Sequence, residues 1–237
     1  PQLLAFEAFE NTYVKSDNIL IALAPENGNV FSTENLEAIR WLTDESWQIP
    51  YSTRVDSIAN FQHTYAEDDD LIVEDLVARN VAYDQAGLSR IKNVALTEPL
   101  LVNRLISADA RVSGININIS VGDEETHVVC PASVNKANSL ITELAQNYPH
   151  FKTYMSGTCV QNVTFPAAVQ RDGTSLLPAA LVLMMCILVI LLRSVLAAAC
   201  TLVVFIFSII AAFGSAGFAG FDFTPPVATS AIIILTM

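Results

Sequence analysis

Charge is distributed along this chain in a way that few soluble folds tolerate. Residues 176–237 carry only Arg193 and Asp222, whereas residues 1–175 carry 11 Lys/Arg and 23 Asp/Glu. A segment of about sixty residues with so little charge reads as membrane-spanning helix, and the part before it as a water-exposed domain. The division expected is therefore residues 1–175 as one domain and 176–237 as a transmembrane segment. The whole net charge of −12 falls on the first part. That excludes a nucleic-acid partner, which needs a basic patch to displace counterions. It also disfavours adsorption to an anionic lipid surface. The acidic excess is read as a solvated surface.

Within the apolar part, "LLPAALVLMMCILVILL" (176–192) holds eleven Leu, Ile or Val. At about −0.5 kcal/mol each, these favour insertion by roughly −5 kcal/mol. A helix at about 175–192 follows. Arg193 would cost about 3 kcal/mol at the bilayer centre, so Arg193-Ser194 reads as a tight turn at a membrane face. A second helix is expected at about 195–217, over "VLAAACTLVVFIFSIIAAFGSAG". The small residues at 214–217 read as a fraying helix end or a loose packing patch. After the polar break "FDFTPP", the start of a further helix is expected at about 225–237, with Pro225 and Pro226 in its first turn. The run has no polar stop, the first residue is Pro1, and no signal peptide is visible, so the chain reads as an excerpt. Arg193 is the basic residue next to the spans, and the positive-inside rule puts residues 1–175 outside the cytoplasm.

The polar part shows mixed periodicity. "DNILIALAPE" (17–26) reads as a strand, and "STENLEAIRWLTDESW" (32–47) as a helix with a Ser/Thr cap and a Glu placed for a capping box. Residues 55–77 read as extended, with an acidic turn at Glu67–Asp70. A helical insertion is expected over roughly 83–107, its second part beginning at Pro99. "RVSGININISVGDE" (111–124) alternates like a half-buried strand, apart from a slip near Gly114. Residues 131–149 read as a helix with Pro131 in its first turn, and 151–160 as a last strand. The order β-α-β, helical insertion, β-α-β matches the split βαβ, ferredoxin-like arrangement. The fold class expected is α+β, with the membrane helices entered directly from the last strand.

Several blocks in their order resemble a known family. "FENTYVKSDNILIAL", "FSTENLEAIRWLTDESWQIP", "TRVDSIANFQHTYAEDDDLIVEDLV", "ALTEPLLVNRLISADAR" and "LLRSVLAAA" are similar to the first extracytoplasmic domain and following helices of exporters in the resistance–nodulation–division (RND) superfamily, of the MMPL or hydrophobe-amphiphile efflux type. The resemblance implies a multi-pass bacterial inner-membrane transporter built of two repeats. In it, residues 1–175 form a periplasmic porter-like domain facing the second repeat of the same polypeptide. It further implies proton-driven efflux of hydrophobic or amphiphilic, drug-like or lipid-like substrates. The proton-relay residues would lie in a fourth helix, beyond Met237. A homo-oligomer is compatible with the resemblance, and no residue decides it. The rival reading is a membrane-anchored extracytoplasmic sensor or binding module. An enzyme has no constellation behind it.

Chemical candidates are sparse. Asp222 is the acid of the apolar part; an intramembrane carboxylate suggests function, but here a solvated cap of the next helix is the simpler reading. His63, His127 and His150 lack metal-ligand spacing, and no metal or cofactor is expected. The acidic run at 67–70 lacks the glycine and distant glutamate of a calcium loop. There is no GxSxG motif, and "MSGTC" reads as a strand end. Cys186 and Cys200 read as packing residues of the spans. Cys130 and Cys159 read as a candidate disulfide between two strand ends, enclosing about 28 residues and worth about 3 kcal/mol.

Overall fold

The computed structural model describes residues 2, 4, 16–67, 70–79, 81–121 and 126–220. Asp222, the helix expected at about 225–237, and Asp68 and Asp69 of the acidic turn lie outside the described residues. Contacts between Cα atoms divide the chain into Pro1–Val163 and Thr164–Met237.

The first unit is built on a four-stranded sheet. Its strands are β1 (Ser16–Pro25), β2 (Ser52–Asp56), β5 (Ser113–Ser120) and β6 (Phe151–Ser156), in the order β2-β5-β1-β6, each antiparallel to its neighbour. Alternation dictates its two faces. Ile19, Ile21 and Leu23 of β1 and Ile115, Ile117 and Ile119 of β5 are all fully buried on one face. Two helices supply the other half of that core: α1 (Thr33–Ser46) through Leu36, Ile39 and Leu42, and the helix α3 (Thr126–Asn147) through Val134, Ala137, Leu140 and Leu144. These are spaced by three and four residues, as one apolar helix stripe requires. Between β2 and β5 the chain makes a hairpin, β3 (Gln62–Glu67) with β4 (Asp70–Asp75), and a helix, α2 (Gln85–Thr97).

Prolines and caps account for the departures from the sequence reading. The insertion was expected to be helical over roughly 83–107 with a second part beginning at Pro99; α2 stops at Thr97, and the second part is not helical. Glu98 precedes Pro99 and is extended, with ψ 115°, because a proline ring clashes with a helical predecessor. Residues 98–106 instead form tight turns in which the Leu101 carbonyl accepts N–H groups from Arg104, Leu105 and Ile106. Helix α3 starts five residues before Pro131, which therefore sits in its interior. That first turn is held by fully buried Val129 and Cys130, whose burial offsets the missing N–H. In α1 the cap is Ser32, whose Oγ accepts from Asn35 N. Asn35, not a glutamate, thus occupies the third helical position, so no capping box forms; Glu34 is left to favour the helix dipole.

Among the described residues, Arg40 is the cation drawn into this core. It is 7% exposed, and its Nη1 donates to the carbonyls of Ala59 (3.0 Å) and Val77 (3.1 Å) and to Asp75 Oδ2 (2.8 Å). The guanidinium thereby ties α1 to the chain entering and leaving the β3–β4 hairpin, at its open end. Arg40→Met should cost about 2 kcal/mol, since two buried carbonyls lose their donor while half-exposed Asp75 stays solvated. Equilibrium urea unfolding would measure it, and a loss below about 0.5 kcal/mol would contradict this role.

The second unit is helical. Strand β6 ends at Ser156, and after Gly157 the long helix α4 (Thr158–Leu192) begins, seventeen residues earlier than the apolar run suggested. Helix α5 (Val195–Phe218) follows. Both are long and apolar enough to cross a membrane; none of the most apolar window of α4 and 6% of that of α5 is buried. A soluble core helix would hide such a surface. The link between them is the expected tight turn: Arg193 is left-handed with φ 50°, and Ser194 caps α5 by accepting from Ala197 N. Gly214–Gly217 lies within the last turns of α5, which runs on to Phe218. The chain is thus an α+β region followed by two apolar helices.

Candidate functional site

The face of the sheet opposite the helices carries the other half of each alternation, polar on β5 and mixed on β1. On β5, Asn116 and Asn118 alternate with the buried isoleucines, and on β1 they face Leu20 and Asn18. The turns at 98–106 lie across one end of this face. They are fastened there by Gly114 N donating to Leu105 O (2.8 Å) and Ser113 Oγ donating to the same carbonyl (3.3 Å). Gly114 permits the approach, for a Cβ there would stand 3.3 Å from Leu20 Cδ1 and 3.8 Å from the Arg104 carbonyl.

Between these turns and the 57–62 loop lies a groove of about 630 Å³, floored by Leu20 and Asn116 and walled by Phe61, Leu100, Leu105 and Arg104. Its volume is in the range of small-molecule sites, about 300–1,000 Å³. Leu100 is 59% exposed beside it. Arg54 also borders the groove, but its Nε is already 2.8 Å from Asp56 Oδ1. Arg104 has no ion-pair partner among the described residues, and it lines a smaller neighbouring cleft of about 330 Å³ as well.

A row of amides runs from this floor to the start of α4. Thr158 N and Oγ1 donate to Asn18 Oδ1 (3.1 and 3.2 Å), Asn18 Nδ2 donates to Asn116 Oδ1 (2.9 Å), and Asn116 Nδ2 donates to Asn118 Oδ1 (3.0 Å). The donors all point one way, so each bond polarises the next. Beside the row, the first turn of α4 is pinned twice more. Cys159 is bridged to Cys130, with Cα atoms 5.0 Å apart, and Asn162 Nδ2 donates to Asp17 Oδ2 (3.3 Å). Asp17 Oδ2 also lies 3.7 Å from the Cys130 sulfur. That is a contact and not a hydrogen bond, because a bridged sulfur carries no proton. Among the described residues, Asp17, Cys130 and Cys159 form a group of metal-ligand type within 4.8 Å; the bridged pair offers no thiolate to a metal.

The structure therefore brings Cys130 and Cys159 together, though from helices: Cys130 lies in α3 and Cys159 in the first turn of α4, neither at the strand ends expected. The three histidines stay on separate elements. His63 stacks on Tyr65 in the hairpin, His127 is in the first turn of α3, and His150 Nε2 is 2.7 Å from Asn35 Oδ1. Ser156 of "MSGTC" closes β6 as expected. Cys186 and Cys200 are unbridged and exposed on α4 and α5. Arg104, Gly157 and the asparagine row were missed. The alternation "ININI" (115–119) was the legible signal for the row, while nothing in the periodicity of 98–106 marks Arg104.

A family model described as MMPL family matches residues 7–237. No curated protein matches the chain.

Proposed function

The chain belongs to the MMPL family, a family of RND-type membrane transporters, and from that premise we propose that it is part of an exporter driving hydrophobic or amphiphilic, drug-like or lipid-like substrates out of a bacterial inner membrane. The observation that carries this reading is the direct passage from the sheet into an apolar helix: Ser156, Gly157 and then a 35-residue helix whose apolar window is unburied. Strand order β2-β5-β1-β6 with two helices on one face supports a ferredoxin-like, porter-type domain. In this reading residues 1–175 are that domain and lie on the periplasmic side, in keeping with Arg193 in the short link between two spans. Residues 176–237 belong to the multi-pass membrane part. The open sheet face would meet the second repeat of the same polypeptide. Energy would come from the proton gradient through carboxylates of a further helix beyond Met237. A sensor that uses its helices only as an anchor gains nothing from a family match that runs through both of them.

The test uses the full-length gene in cells loaded with a fluorescent amphiphile. Export should exceed the empty-vector rate several-fold, and it should fall on addition of an uncoupler or on carboxylate-to-amide change in the expected relay helix. Export at the vector rate would reject the exporter. Export untouched by uncoupler and amide change would reject proton drive.

A further inference from the structure

The groove under the 98–106 turns has a charge balance opposite to that of the domain around it. Residues 1–175 hold 11 cations and 23 acids, yet the groove is bordered by Arg54, Arg104 and one acid, Asp56. Arg54 and Asp56 neutralise each other at 2.8 Å. Among the described residues the Arg104 guanidinium is left over, in a groove whose other lining is Leu20, Phe61, Leu100, Leu101 and Leu105 with four neutral polar residues. The surrounding acidity does not cancel it. Exposed charges are screened beyond about 8 Å at physiological salt, so the nearest guanidinium sets the local sign. Nor is Arg104 on a loose loop: Arg104 N donates to Leu101 O (3.1 Å), Leu105 N to Leu101 O (2.8 Å) and Asn103 N to Ile106 O (2.8 Å), and the turn is bound to β5 through Leu105 O. A guanidinium carried on a braced turn, at the rim of a groove with an apolar side and a polar side, fits a ligand with a planar anion at one end and a hydrocarbon chain behind it.

We infer that this groove is a binding site for a single-chain amphiphile with an anionic head group, its head on Arg104 and its chain against Leu20, Leu100 and Leu105. The inference rests on the exporter reading only for what the site is used for; the binding itself does not depend on transport. Arg104 supplies two parallel N–H donors to the head group, which a lysine cannot do in the same geometry. Leu100, exposed in the free groove, is covered when the chain is seated.

The test uses the whole chain in nanodiscs of phosphatidylcholine, probed with a diazirine-bearing palmitic acid and mapped by peptide mass spectrometry. Label is expected on segments 98–106 and 54–62. Laurate should compete, whereas dodecyltrimethylammonium and acetate should not. Arg104→Glu should lower labelling about tenfold, Arg104→Lys about threefold, and Lys152→Glu, on the same sheet face at β6, should leave it unchanged. Leu100→Gln, at an exposed position and so harmless to folding, should lower it severalfold and keeps the test valid if Arg104→Glu does not fold. Equal competition by the cationic amphiphile, full competition by acetate, or labelling indifferent to both Arg104→Glu and Leu100→Gln would overturn the site. Labelling as expected in a protein that fails the cellular export test would reject the exporter reading and leave the site standing. Export without labelling would do the reverse.

Discussion

Gly157→Ala is expected to destabilise the sheet-containing unit by about 4 kcal/mol, combining roughly 1–3 kcal/mol of backbone strain with roughly 1–3 kcal/mol of overpacking. Gly157 joins β6 to α4 with φ +120°, a conformation that side chains rarely adopt, and a Cβ there would stand 2.3 Å from the carbonyl oxygen of Asn18. The obstruction is backbone on a central strand, so no flexible side chain can swing away to relieve it. Relief would require β1 to part from the first turn of α4, breaking the pair of bonds from Thr158 to Asn18 Oδ1. Gly28→Ala is the matched control. Gly28 has φ +66° but nothing within 4 Å of its would-be Cβ, so only the left-handed penalty of about 1 kcal/mol applies. Urea unfolding of the two variants should differ by about 3 kcal/mol. A difference under 1 kcal/mol would mean that the close approach at Gly157 is not a constraint on the folded protein. Since a domain's stability is about 5–15 kcal/mol, the same substitution should lower the amount of protein recovered from membranes.

Residues whose roles are local were legible in the sequence, and those whose roles depend on distant partners were not. Ile19, Ile21 and Leu23 announce a strand by alternation alone, and so do Ile115, Ile117 and Ile119. Two alternating strands and two amphipathic helices in that order leave few ways to form a sheet with one covered face. Proline misled the reading twice in opposite directions. Pro99 was read as opening a second helical part, which the turns at 98–106 replace, whereas Pro131 was absorbed because buried neighbours held the turn before it. The polar stretch 158–175 carried no apolar stripe, so the beginning of α4 was invisible until the sheet supplied its anchors. Arg40 looked like one more helical-face residue, yet its burial depends on carbonyls at positions 59 and 77. The groove draws on Leu20, Phe61 and Arg104, about forty residues apart in turn. No window of sequence contains it.

Removing the Cys130–Cys159 bridge by changing both residues to alanine should cost about 3–4 kcal/mol from loop-closure entropy, the bridge enclosing a separation of 29 residues. With an unfolding slope of about 2 kcal/mol per molar urea, the midpoint should fall by roughly 1.5–2 M. The bridge joins α3 to the first turn of α4, so its loss acts at the same joint as Gly157 and the Asn18–Thr158 bonds. The two substitutions should therefore not add, because neighbours that share one structural element couple. Both cysteines are fully buried, so a reductant should act through opening of the unit and reduce the native protein slowly. The measurement is paired: thiol blocking in acid-denatured cells followed by non-reducing electrophoresis for the state of the bridge, and urea unfolding for its worth. Protein exported to the periplasm should be blocked only at Cys186 and Cys200, while the same chain retained in a reducing cytosol should be blocked at all four. Four blocked cysteines in the exported protein would reject both the bridge and the periplasmic placement of this domain. A bridged protein whose midpoint does not move on double substitution would keep the placement and reject the energetic role.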